Sequence, residues 1–152
     1  MSAADRVRLE RLDPIPIAVV QRQAPPSQWP RVVPDCCGLV WNLLRAQGVR
    51  GGRHVAIYHG GDRLDVGVET DAPFTERDGL VKSATPAGAV AVATHLGPYE
   101  GLRQAHDAIH AWAEGAGHRL AGPRWEIYGH WQSEWDADPS RIRTDVHYLL
   151  MA

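Results

Sequence analysis

The sequence has only two cysteines, two methionines and one phenylalanine in 152 residues. The cysteines, Cys36 and Cys37, are adjacent, so they cannot staple distant segments or build a tetrahedral zinc site by themselves. Reduced thiols on a helix are the default that remains. There is no block of one charge either: 16 basic and 18 acidic residues give a net −2 and are dispersed along the chain. That removes the positive footprint a nucleic-acid partner would need. No apolar run approaches the roughly 20 residues of a membrane span, and Met1-Ser2-Ala3-Ala4-Asp5-Arg6 opens directly into charge. The expectation is a cytoplasmic chain that uses no membrane, nucleic acid, metal or cofactor. Its length suits one domain spanning 1–152, burying roughly two-thirds of its unfolded surface.

Tryptophan is what the chain has in excess, six against the one phenylalanine. An indole combines a large apolar face with a polar N–H and suits a stacking surface as well as a core. The stretch that stands out is Gly122-Pro123-Arg124-Trp125-Glu126-Ile127-Tyr128. Gly-Pro marks a chain reversal, and the residues after it favour a strand. Glu126 therefore sits inside an aromatic strand. If the rings exclude water, the carboxylate needs a cationic or proton-donating partner; otherwise it is one solvent-facing position of a half-exposed strand.

The rest of the chain reads as two copies of one layout. Residues 7–12 alternate as a strand, 15–20 make a second, and 23–30 form a proline-rich loop. From about Val33 the period becomes helical, with Val33, Cys36, Cys37, Val40, Leu43 and Leu44 on one face and Gly48 as the stop. Trp41 lies about 100° from the middle of that face, at the edge of a groove. Residues 54–59 and 64–69 form a hairpin about Gly60-Gly61-Asp62, and 71–78 link the halves.

After the link come strands at 80–83 and 88–95. A helix then opens at Gly97-Pro98 with Leu102, Ala105, Ile109, Trp112 and Ala116 inward, and Gly115 and Gly117 end it. A strand at 125–131, a loop carrying Asp136, Asp138 and Pro139, and a strand at 142–150 close the chain. Gly48 matches Gly117 at an offset of 69, while Gly52 with Gly122 and Tyr58 with Tyr128 match at 70. The pseudo-repeats run from about 6 to 70 and 79 to 150, each strand, strand, helix, strand, strand. This predicts an α+β fold of about eight antiparallel strands with two main helices on one face and a groove between them. Glu126 falls opposite Ala56, so one copy of the layout carries a charge that the other lacks.

Two other patterns are set aside. His106 and His110, one turn apart with Asp107 between, have zinc-protease spacing. The acid is aspartate, though, and with Ala105 inward His110 points to solvent and His106 to the edge. Cys36 and Cys37 near a helix N-terminus suggest a thiol nucleophile, but they fall on the apolar face. Strand parity puts Glu126 and Tyr128 on one face and Trp125 and Ile127 on the other, so not every aromatic can surround the carboxylate.

The second half carries a family resemblance. Ala87-Gly88-Ala89-Val90-Ala91-Val92, His95-Leu96-Gly97-Pro98-Tyr99, the Gly122 to Tyr128 stretch and Thr144-Asp145-Val146-His147-Tyr148 resemble the GyrI-like domain. That domain also occurs as the effector-binding part of AraC-type and MerR-type regulators. In the first half Ala24-Pro25-Pro26-Ser27 replaces the Gly-Pro-Tyr turn.

The resemblance implies a pseudo-symmetric groove that takes lipophilic, often cationic and aromatic, small molecules, in a bacterial multidrug-binding or drug-resistance role. Glu126 matches the family's anchoring glutamate, and Trp41, Tyr58, Trp112, Trp125, Tyr128, Trp131, Trp135 and Tyr148 are the candidate walls. It also implies a stand-alone form, monomer or weak homodimer, without the regulators' helix-turn-helix. Some stand-alone members resemble hydrolases that open cyclopropane rings of aromatic natural products. There Glu126 would position water, with Tyr148, Tyr58 or Tyr128 as proton donor. A third class, a protein modulator such as an inhibitor of DNA gyrase, rests on the family's name and would show as co-purification with a topoisomerase.

Overall fold

Eight strands and two long helices occupy the computed structural model, which describes residues 7–152. The charged opening at 1–6 lies outside the described residues. In chain order the elements are β1 (Arg8–Leu12), β2 (Pro16–Gln23), α1 (Trp29–Ala46), β3 (His54–Gly60), β4 (Arg63–Glu69), β5 (Val81–Ala84) and β6 (Gly88–Leu96). There follow α2 (Leu102–Ala116), β7 (Leu120–Tyr128), the short α3 (Ser133–Ala137) and β8 (Arg143–Leu150). The fold is α+β, as expected, and its strand pairs are antiparallel.

The chain forms two compact units, one from residues up to Asp13 with Ala87–Ala152, the other Pro14–Pro86. Within the first the strand order is β1-β6-β8-β7, and within the second β5-β2-β4-β3. The two orders are the same once the repeats are matched, but the leading strands are exchanged. β1 pairs with β6, and β5 pairs with β2. Proline supplies the reason. Pro14 and Pro16 lie after β1 and Pro86 after β5, and a proline cannot donate to a ladder, so neither leading strand turns back as a tight hairpin on its successor. The two connections meet in the second unit, where Ile15 N donates to Thr85 Oγ1 at 2.8 Å and Thr85 N to the Ile15 carbonyl at 3.0 Å.

In the first unit α2 lies on β6 and β8. Ala91 and Ala93 of β6 and Ala105 of the helix are buried together with Ile109, Val146, Tyr148 and Leu150. Methyl side chains at this contact let the helix approach the sheet closely, which puts side chains at the helix edge within reach of the strands. Gly117 caps α2 in the left-handed conformation (φ 74°), where a side chain would be strained.

In the second unit α1 packs on β4, with Val33, Cys36, Val40 and Leu44 buried. Helix α1 begins at Trp29, earlier than the expected Val33, because Pro30 occupies the first turn, where no N–H is used. The loop expected over 23–30 is therefore the end of β2, a 3-10 turn and the start of α1. Likewise β7 starts at Leu120 and ends at Tyr128, not Trp131, and α3 replaces part of the expected loop that follows.

Candidate functional site

The register of β7 against β8 sets Arg124 opposite Tyr148, Glu126 opposite Val146 and Tyr128 opposite Thr144. Opposed residues share a face, so Glu126, Tyr128 and Tyr148 all lie on the side covered by α2. Trp125, Ile127 and His147 lie on the reverse side. Glu126 is buried, 5% exposed. A carboxylate there is costly unless both oxygens are satisfied.

Both oxygens have donors. The Tyr128 hydroxyl donates to Oε1 at 2.5 Å, and His106 Nε2 lies 2.7 Å from Oε2. The second imidazole nitrogen, Nδ1, lies 2.7 Å from the Tyr148 hydroxyl. The result is a continuous chain, Tyr148–His106–Glu126–Tyr128, spanning a helix and two strands. Facing an ionised carboxylate, which only accepts, Nε2 carries the proton; in a neutral ring Nδ1 then accepts from Tyr148, and in a charged ring it donates. Burial pushes the Tyr148 phenol up to about 12, reinforced by Glu126 and Asp107 and opposed by Arg124, so it remains a proton donor at neutral pH. His110, exposed as expected, rests edge-on against the Tyr148 ring with centroids 5.1 Å apart.

The helical wheel puts His106 at the edge of α2 without showing what it meets there. The edge position was right, and its consequence was missed. Ala105, beside it in sequence, faces a sheet surface of alanines, and a helix lying that close brings its edge residues against the strands. The available signal was the combination of alanines on β6, alanine on α2 and a histidine one step round the wheel.

The other candidate residues are dispersed. Trp41 is half-buried on α1 in the Pro14–Pro86 unit, its ring 5.7 Å from that of His54. Tyr58, in the same unit, is buried with its ring 4.5 Å from Trp29. Trp112 stacks on His118 and packs against the core under α2. Trp125 is fully buried on the reverse face, stacked on His147.

The pair expected as a rim divides. Trp131 is exposed and bonds Asp136, whereas Trp135 is buried on α3. A Cβ on Gly129 would lie 3.1 Å from the Trp135 ring, so the glycine makes room for the indole. Tyr99, part of the Gly-Pro-Tyr turn but not among the candidate walls, stands edge-on to Tyr128 at 5.9 Å and is 44% exposed. Burial raises both thiols, Cys37 to about 12, which disfavours the nucleophilic thiolate. Among the described residues no group of three or more His, Cys, Asp or Glu side chains is placed to hold a metal, and no helix is long and apolar enough to cross a membrane.

The family model described as a GyrI-like small molecule binding domain matches residues 6–146. Among solved structures the chain is similar to the C-terminal domain of EcmrR, with TM-score 0.77 and 18% identity over 95% of this chain and 96% of that one. It is also similar to SAV2435 bound to tetraphenylphosphonium (TM-score 0.65, 10% identity, 96% and 94% covered). A hydrolase encoded by lin2189 from Listeria innocua is similar as well (TM-score 0.63, 10% identity, 96% and 92% covered). At these identities the likeness is one of fold. No curated protein matches the chain significantly.

Proposed function

The chain belongs to the GyrI-like small-molecule-binding domain family, and on that premise we propose that it binds aromatic, lipophilic cations at Glu126, in a multidrug-sequestering role. The observation that carries the reading is a buried carboxylate held in place by a tyrosine hydroxyl and an imidazole. A delocalised organic cation sheds its weak hydration readily, so a desolvated carboxylate attracts it more than it attracts a small, strongly hydrated ion. Tyr128, half-buried beside the charge, offers an aromatic ring that adds roughly 0.5 to 2 kcal/mol of cation–π attraction. Tetraphenylphosphonium, the ligand of SAV2435, is a suitable probe because its charge is permanent. In this reading Glu126→Gln weakens tetraphenylphosphonium binding by about tenfold or more, equivalent to about 1.4 kcal/mol. Neutral triphenylphosphine oxide should be little affected. Equal loss for both ligands would remove the electrostatic anchor.

One observation favours a second reading, as a hydrolase of strained aromatic cyclopropanes. Glu126, His106 and Tyr148 form a carboxylate–imidazole–hydroxyl chain whose phenol stays protonated. In that chemistry Glu126 takes a proton from water as the water oxygen bonds to a ring carbon. The cyclopropane C–C bond breaks, the departing carbon receives a proton from Tyr148, and the proton on Glu126 returns to the Tyr148 oxygen through His106, which bonds both. Multiple turnovers of a cyclopropane-bearing alkylating compound to its water adduct would support this reading, and return of the intact compound would exclude it.

A further inference from the structure

We infer that His106 decides the charge of the ligand the site accepts: a neutral imidazole leaves the site open to an organic cation, and an imidazolium excludes it. The inference rests on Glu126 being the cation's anchor, as proposed above. What carries it is the way His106 is held. Its two nitrogens bond Glu126 Oε2 and the Tyr148 hydroxyl, each at 2.7 Å. A phenol both donates and accepts. With a neutral ring the Tyr148 hydroxyl donates to Nδ1; with a protonated ring Nδ1–H donates to the same oxygen and the hydroxyl hydrogen turns away. Both hydrogen bonds therefore survive protonation, and the network changes charge without moving an atom heavier than hydrogen. His106 is also not sealed off, its side chain being 18% exposed, so a proton can reach it.

Protonation adds one positive charge beside the anchoring carboxylate, whatever else that carboxylate touches. A phosphonium and this proton then compete for the same negative charge, and by reciprocity each weakens the other's binding equally.

The charged and titratable groups that bear on His106 belong to its own helix and to the elements next to it. Glu126 on β7 and Tyr148 on β8 bond it directly, and the neighbouring elements also carry Arg124 and Tyr128 on β7, His95 on β6, Tyr99 and Glu100 in the turn before α2, and Arg103, Asp107 and His110 on α2. His95 bonds the Pro98 carbonyl, and His110 touches only the edge of Tyr148. Of the three histidines, His106 is the one bonded to the carboxylate.

A purely structural His106 would tie α2 to the sheet and leave ligand charge unaffected. Titration calorimetry with tetraphenylphosphonium and with triphenylphosphine oxide, from pH 5.5 to 8.5 in buffers of different ionisation enthalpy, separates the two roles. The expected result is a phosphonium Kd that rises up to about tenfold per pH unit on the acid side, with release of up to about one proton per ligand. The phosphine oxide should bind with a flat profile. His106→Gln keeps an N–H for Glu126 and an oxygen for Tyr148, and it should make the phosphonium profile flat as well. Flat phosphonium binding by the unmodified protein overturns the inference and leaves the cation site standing. A full pH slope retained in His106→Gln also overturns it. No phosphonium binding at pH 8.5 overturns both. The measurement on the unmodified protein decides the matter even if the variant fails to fold.

Discussion

His147 lets stability be predicted with its sign. The side chain is 6% exposed, stacks on Trp125 with rings 5.1 Å apart and 4° from parallel, and has no hydrogen-bond partner for Nδ1 among the described residues. Burial lowers its pKa from 6.5 to about 4; nearby Arg8 pushes the same way, while Asp145, a backbone bond with Trp125 and Glu10 oppose. Between those two values the unfolded chain carries the proton and the folded chain does not. Stability from this group is therefore complete above pH 6.5 and is lost as pH falls towards 4.

At about 1.4 kcal/mol per unit, the whole difference amounts to about 3 kcal/mol. His147→Phe preserves an aromatic ring against Trp125 and cannot titrate. Urea unfolding of both proteins at pH 7.5 and pH 4.5 isolates the effect from other titrating groups. Acidification should cost the unmodified protein about 2 to 3 kcal/mol more than the variant, a relative shift in urea midpoint of about 1 to 2 M. A stability difference between the two proteins that is the same at both pH values would refute the buried neutral imidazole.

Two further outcomes test the packing and the site. Tyr128→Phe removes the hydroxyl that donates to Glu126 at 2.5 Å while keeping the ring, and should cost about 1.5 to 3 kcal/mol, or about 3 to 12 °C in melting temperature. A calorimetric change under about 1 °C would contradict that bond. Gly67→Ala would place a methyl 1.7 Å from the Ala18 carbonyl oxygen, forcing β2 and β4 apart at a cost of about 3 kcal/mol or more. A thermal melt by circular dichroism within about 2 °C of the unmodified protein would show that this strand pair yields easily.

The strands and helices were legible because each rests on a local period. The alternation at 64–69 and the 3.6-residue apolar spacing at 102–116 need no knowledge of a partner. The exchange of β1 and β5 was not legible in that way. Strand propensity says that residues 8–12 are extended but does not name their neighbour, and the sign lay only in the prolines that follow. The start of α1 was misjudged because Pro25, Pro26 and Pro30 read as loop, although proline in a first helical turn is favourable. At the site, strand parity correctly put Glu126 with Tyr128, while the reach of Tyr148 and His106 depended on register and on how closely a helix sits on the sheet. Neither distance is written in any short stretch.

The duplicated layout supports the proposed role of this network. Gly48 and Gly117 share φ values of 73° and 74°. Val49 N bonds the Leu44 carbonyl as His118 N bonds that of Ala113, so the helices correspond at an offset of 69. At that offset His106 matches Cys37. The paired registers match Glu126 with Ala56, Val146 with Val66 and hence Tyr148 with Val68, while Tyr128 matches Tyr58. The Pro14–Pro86 unit thus has the same helix and strands with an alanine, a valine and a thiol where the other has a carboxylate, a phenol and an imidazole. Ala56 and Val68 are fully buried there, so the layout closes without any of these polar groups. Burying a carboxylate costs free energy that a methyl does not, and folding alone gives no reason to accept that cost in one copy. The cation proposed to bind at Glu126 would supply that reason.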